Sequence, residues 1–180
     1  MAFWLVLLLC VVAGSVYLWR VGAQPAEHDV SAADFERLLS ALVETMADGA
    51  VLVIRHARSD AFVQFVKRDA PSGPVLGFGF PDAEWSREFF GPVSEALTRE
   101  GIAYDVSETG DDPVRRFLEV EISDASISAA KRVADVALEG MGIGVAERFV
   151  ATLEGDLDPS AALSAASTAW RQADESRRSG

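Results

Sequence analysis

The segment Gly49–Asp69 reads GAVLVIRHARSDAFVQFVKRD, and how it pairs with itself decides the fold. Two runs rich in β-branched and aromatic residues, Ala50–Ala57 and Phe62–Lys67, flank the turn-suited residues Arg58-Ser59-Asp60. This pattern predicts a β-hairpin. On its first arm Leu52 and Ile54 share a face with His56, while Val51, Val53 and Arg55 share the other. His56 and Arg58 follow the apolar part of the arm, where the chain is expected to emerge into solvent and Arg55 and Arg58 to pair with exposed acids.

Upstream, Ser31 is a good N-cap with Asp34 three residues on. Phe35, Leu38, Leu39, Leu42, Val43 and Met46 then recur at helical spacing, and Asp48-Gly49 ends the helix. Downstream, Val75–Phe80 (VLGFGF) reads as a third strand, with Leu76, Phe78 and Phe80 on one face. Gly77 and Gly79 leave the other face bare, which suits a closely packed helix. A second helix is predicted from Pro81 to about Glu100, striped by Trp85, Phe89, Val93, Ala96 and Leu97, with Pro92 imposing a kink or restart near Gly91.

Ile102, Tyr104 and Val106 alternate as a fourth strand, and residues 108–113 (ETGDDP) form a turn. Leu118, Val120 and Ile122 make a fifth, with Glu119 and Glu121 facing the other way. A third helix is capped by Ser123 or Asp124, buries Ile127, Ala130, Ala134, Ala137, Leu138 and Met141, and fades over Gly140–Gly144. The order helix, three strands, helix, two strands, helix predicts an α+β domain over residues 31–144, an antiparallel sheet packed by helices. Residues 145–154 either extend the third helix or form a short element of their own. The remainder of 145–180 is expected to be a helical or partly disordered tail anchored by Trp170.

Ahead of the domain, Ala2–Trp19 carries no charge and would make a helix of roughly 27 Å, enough to cross a thin hydrocarbon core. Trp4, Tyr17 and Trp19 stand where aromatic rings favour the membrane interface, and Arg20 stops at the head groups. The alternative is a cleaved leader with Val21-Gly22-Ala23 as its small-residue site. An n-region without Lys or Arg, and the bulky Trp19-Arg20 pair before the site, favour an uncleaved single-pass anchor over residues 2–19. Arg20 behind the segment places the C-terminal domain in the cytoplasm by the positive-inside rule, and an extracytoplasmic domain is the rival topology. Residues 20–30 are read as a polar linker.

The formal net charge of −12 argues against a nucleic-acid groove and against docking on anionic head groups. With Cys10 the only cysteine, the chain can build neither an intrachain disulfide nor a cysteine-based zinc site. No metal or cofactor is expected. Glu119 with Glu121, and Asp111-Asp112, read as solvated faces rather than as a catalytic acid and base, which would need a pocket to shift them. Met141–Gly144 (MGIG) reads as a helix C-cap, and Gln64 as a half-buried or solvent-facing polar residue in an apolar strand.

Residues 51–60 (VLVIRHARSD) resemble the Arg-His motif of the histidine phosphatase superfamily. The resemblance implies His56 as nucleophile, with Arg55 and Arg58 on the phosphate. That family completes its pocket with a second histidine downstream, whereas the other histidine here, His28, lies upstream. A hydrolase using the His56 region is therefore the alternative function, not the leading one.

The element order, the hairpin with Phe62-Val63-Gln64-Phe65, the middle helix near Trp85 and Phe89, and Ala96–Gly101 (ALTREG) leading into a strand are similar to the type III secretion chaperone-like superfamily (TY-Chap and YbjN-like domains). That resemblance covers about residues 31–142 and implies a protein-binding module, often a homodimer, without cofactor or catalytic residues. The leading expectation is a membrane-anchored, non-enzymatic interaction module, chaperone-like in kind. Its partners would be the lipid bilayer through residues 2–19 and an unidentified protein. Phe78, Phe80, Trp85, Phe89 and Phe90 are the candidate partner-binding residues, with core filling as the competing explanation for them.

Overall fold

The structure, a computed structural model, describes residues 27–108 and 116–156. The expected membrane segment 2–19, residues 109–115 with most of the expected turn and its Asp111 and Asp112, and tail residues 157–180 with Trp170 lie outside the described residues. Among those described, no helix is long and apolar enough to cross a membrane.

The domain is α+β. A 3₁₀ turn (Ala32–Asp34) leads into α1 (Phe35–Thr45); α2 is Arg87–Arg99 and α3 is Ile127–Gly140. The strands are β1 (His28–Val30), β2 (Val51–His56), β3 (Phe62–Ala70), β4 (Gly73–Pro81), β5 (Asp105–Glu108), β6 (Arg116–Ile122) and β7 (Phe149–Glu154). They form one seven-stranded sheet in the order β1-β7-β2-β3-β4-β6-β5, every described pair antiparallel.

The expected hairpin is β2–β3, with Leu52 opposite Phe65 and Val51 opposite Val66. Phe65 in turn faces Phe78, which faces Val120. Because side chains alternate across a strand, this register sends Leu52, Phe65, Phe78 and Val120 to one face and Val51, Val66, Gly77 and Glu121 to the other. The first set joins Phe35, Leu39 and Leu42 of α1, Val93 and Leu97 of α2, and Ala130, Ala134 and Leu138 of α3 in one buried core. All three helices thus lie on a single face of the sheet.

Four local interactions explain why the helices sit where they do. Ser31 donates its backbone N–H and its hydroxyl to Asp34 Oδ2 at 3.0 and 2.9 Å, opening the first helical turn as anticipated. The buried Lys67 reaches from β3 to the end of α1 and donates to the carbonyls of Val43 and Met46 at 2.8 and 2.7 Å. A cation there satisfies carbonyls that the helix leaves unpaired and complements its dipole. Gly142, with φ +74°, lets Ile143 N–H return to Leu138 O at 2.9 Å, so residues 141–144 do form the C-cap of α3. Gly140 allows α3 to touch α2, since a Cβ there would stand 2.8 Å from Val93 Cα.

Several expectations need correction. The linker contains a strand: His28–Val30 pairs with β7, a three-residue element too short to show a periodic signal. Of the two alternatives for residues 145–154, the short element of their own is the one found: Phe149–Glu154 does not extend α3 but inserts as β7 between β1 and β2. The fourth strand is displaced from 102–106 to Asp105–Glu108, because Tyr104 is held on α2 by its hydroxyl, 2.6 Å from Ser94 Oγ. α2 starts at Arg87 and runs through Pro92 as one helix, without a restart. Ser86 tethers its start to the end of β4 by donating to Pro81 O and accepting from Ala83 N. Among the described residues no helix covers Gly77 and Gly79, which lie on the sheet face opposite the three helices.

The two helical glycines give a paired test. Gly140→Ala meets backbone that cannot yield, so overpacking of about 1–3 kcal/mol should outweigh the helix-propensity gain. Gly91→Ala meets nothing within 4 Å and should stabilise by roughly 0.5–1 kcal/mol. Urea titrations followed by circular dichroism should move the midpoint down for the first variant and up for the second.

Candidate functional site

Two places concentrate chemistry. The first is the imidazole singled out in the sequence. His56 ends β2 and is 8% exposed, so it does not emerge into solvent as expected. The reason is β7: His56 pairs in register with Phe149, whose ring centroid stands 6.1 Å from the imidazole and 5.2 Å from Phe35. Both ring nitrogens are engaged, Nδ1 at 2.8 Å from Ser59 Oγ and Nε2 at 2.7 Å from Glu147 Oε2. A carboxylate only accepts, so Nε2–H donates to Glu147, and in the neutral ring Nδ1 accepts the Ser59 hydroxyl. Ala57 N–H also donates to Arg148 O at 3.0 Å. The group therefore ties the β2–β3 turn to the connection that enters β7. Glu147 was missed in the sequence because the β7 pairing that brings it here was not recognised.

A phosphohistidine nucleophile needs a free ring nitrogen, and neither is free. Arg55, one half of the implied clamp, instead reaches Glu27 at 3.5 Å. The hydrogen bond from His56, then that from the Gly144 amide, hold the Glu147 carboxyl below its ordinary value.

The second place is the helix-free face. There Phe62, Gln64, Val66 and Arg68 of β3 stand beside Gly77, Gly79 and Pro81 of β4, then Phe117, Glu119 and Glu121 of β6, with Asp105 at the far side. They line a groove of about 110 Å³, well under the roughly 300–1,000 Å³ of small-molecule sites and closer to the size of one side chain. Gly77 is bare for a reason. The Arg68 guanidinium lies across it, Nη2 only 2.5 Å from where a Cβ would stand. Arg68 Nε is buried there without a hydrogen-bond partner. At Gly79 nothing stands within 4 Å, so the floor is open backbone. Phe117, Val66 and Gln64 are buried although no described helix lies over them. Glu119 Oε1 accepts the Ser107 hydroxyl at 2.8 Å. Across the same face, burial pushes the Glu154 carboxyl up.

The five aromatic candidates are dispersed by this arrangement. Phe78 and Phe80 are buried with their rings in the core, and Phe78 also borders the groove. Phe90 is 7% exposed and lies beneath Arg116, whose guanidinium carbon stands 4.7 Å above the ring and whose Nε and Nη2 bond Asp82 Oδ2. Phe89 is half-buried against the core. Trp85, also half-buried, stacks on Phe62 at 4.5 Å and meets Phe80 edge-on at 5.9 Å, at the end of the groove. Sequence reasoning overlooked Phe117, Arg68 and Gln64 as groove residues. Glu119 and Glu121 were placed on the correct face.

Comparison with known proteins finds no matching family model, no matching curated protein and no matching solved structure. Among the described residues, no cluster of three or more His, Cys, Asp or Glu is arranged to hold a metal ion.

The Glu147 tie predicts a pH signature. A carboxyl with a depressed folded-state pKa stabilises above its ordinary value of 4.5, and that contribution is lost as pH falls through the depressed value. A Glu147→Gln chain should melt below the parent at neutral pH, and the gap should close as the pH falls below that ordinary value. A gap that stays constant in acid would show that the carboxylate is not its source.

Proposed function

We propose that the chain is a membrane-anchored, non-enzymatic protein-interaction module, chaperone-like in kind, whose working surface is the groove on the helix-free sheet face. The observation that carries this reading is the groove itself: open glycine backbone, buried apolar side chains without a described covering element, and a guanidinium with an unused buried donor. A recess of one side chain's size with a polar rim suits a protein segment better than a cofactor. The uncharged Ala2–Trp19 stretch supports the anchor, and Arg20 behind it supports a cytoplasmic domain.

The reading is tested by filling the groove. Gly79→Phe adds a Cβ that meets nothing within 4 Å and turns its ring into the groove, so the fold should survive. Crosslinking the intact membrane form in cells should recover protein neighbours with the parent chain and lose them with the variant at an unchanged melting temperature. Identical sets from both would remove the groove from the function.

A second reading, acyl transfer at Ser59, is favoured by one observation: Ser59, His56 and Glu147 stand in the order nucleophile, base and orienting carboxylate. The groove does not border Ser59. A fluorophosphonate probe should label Ser59, and Ser59→Ala should abolish the labelling, if this reading holds; an unlabelled parent chain disposes of it.

A further inference from the structure

We infer that the occupant of the groove is a basic segment of a partner protein, one presenting a large apolar side chain flanked by arginine or lysine. The inference rests on the docking reading above and names the chemistry that the groove takes. Its charged lining is three carboxylates, Asp105, Glu119 and Glu121, against the single guanidinium of Arg68. Several acids elsewhere on the domain do have a cation: Arg99 meets Glu139 at 2.8 Å, Arg132 meets Glu100 at 3.1 Å, and Arg116 meets Asp82 at 2.8 Å. Among the described residues the groove's three carboxylates have no such cation. The lining itself therefore carries a net negative charge, set within a chain of net charge −12.

The remaining features fit the same occupant. Space of about 110 Å³ beside Phe117 and the open backbone of Gly79 admits one apolar side chain. By swinging off Gly77 the Arg68 guanidinium can donate its unused Nε–H to a backbone carbonyl of an extended segment, leaving the occupant's cations to the acidic rim. An acidic peptide, a nucleic acid or an anionic lipid could satisfy Arg68 but would face the carboxylates unpaired.

The test uses the full chain in phosphatidylcholine nanodiscs, whose neutral head groups do not attract the probes. The probes are a labelled peptide alternating arginine around a central tryptophan and its counterpart with glutamate for arginine, compared by fluorescence anisotropy at about 0.15 M salt. The basic peptide should bind and the acidic one should not. Glu119→Gln with Glu121→Gln should weaken binding roughly tenfold, whereas Glu36→Gln with Glu44→Gln, exposed on α1, should leave it within about twofold. Equal weakening by both pairs would overturn the proposal in favour of bulk attraction. Equal binding of both peptides, lost in Gly79→Phe, would overturn the basic assignment while leaving the groove as a docking site. Failure of both peptides to bind would also overturn it, and self-association abolished by Gly79→Phe would then assign the groove to a second copy of the chain.

Discussion

Three helices cover one face of a seven-stranded antiparallel sheet, and every other feature of the domain is arranged around that asymmetry. A two-layer domain needs one apolar sheet face. Strict alternation supplies it through Leu52, Phe65, Phe78 and Val120, which stand in register across four strands. The same register fixes what the other face must be: Val51, Val66, Gly77 and Glu121 in one row, and Gln64, Gly79, Glu119 and Asp105 in the next. Glycines keep that second face low, and Arg68 lies across it because Gly77 carries no side chain. The groove is thus a direct consequence of how the core is patterned.

The His56 group serves the opposite end of the sheet. Through Glu147 and Phe149 it joins the β2–β3 turn to the strand that completes the sheet beside β2. Lys67 performs a similar task at the C-terminal end of α1, where its ammonium meets two helix carbonyls. In both cases a polar side chain on the core face is kept buried by full pairing with groups the fold itself presents. Neither group lines the groove.

The α+β class, the hairpin, the three helices and the facing of Glu119 and Glu121 were legible because each rests on a local period of two or of about 3.6. What escaped was non-local. Phe149, Ala151 and Leu153 alternate, but nothing nearby in sequence shows that their partners are Val30 on one side and Leu52 on the other. Without that pairing His56 appeared destined for solvent, and Glu147 carried no signal. Gly77 and Gly79 were recognised as a bare surface, yet sequence alone could not tell a covering helix from an arginine laid across the sheet. The candidate aromatics were chosen by type, whereas burial depends on parity: Phe78 and Phe80 face the helices, while Phe117, one position out of phase with Leu118, faces the groove.

The central claim, that the helix-free face is the working surface, is tested most directly by a thiol footprint. In a Cys10→Ser background, Gly79→Cys places a thiol on the groove floor and Glu36→Cys places one on the outer surface of α1. Maleimide labelling of each is followed with and without the basic aromatic peptide. The account predicts strong protection at position 79 and none at position 36. Protection at position 36 alone, or unchanged labelling at position 79 under saturating peptide, would contradict it.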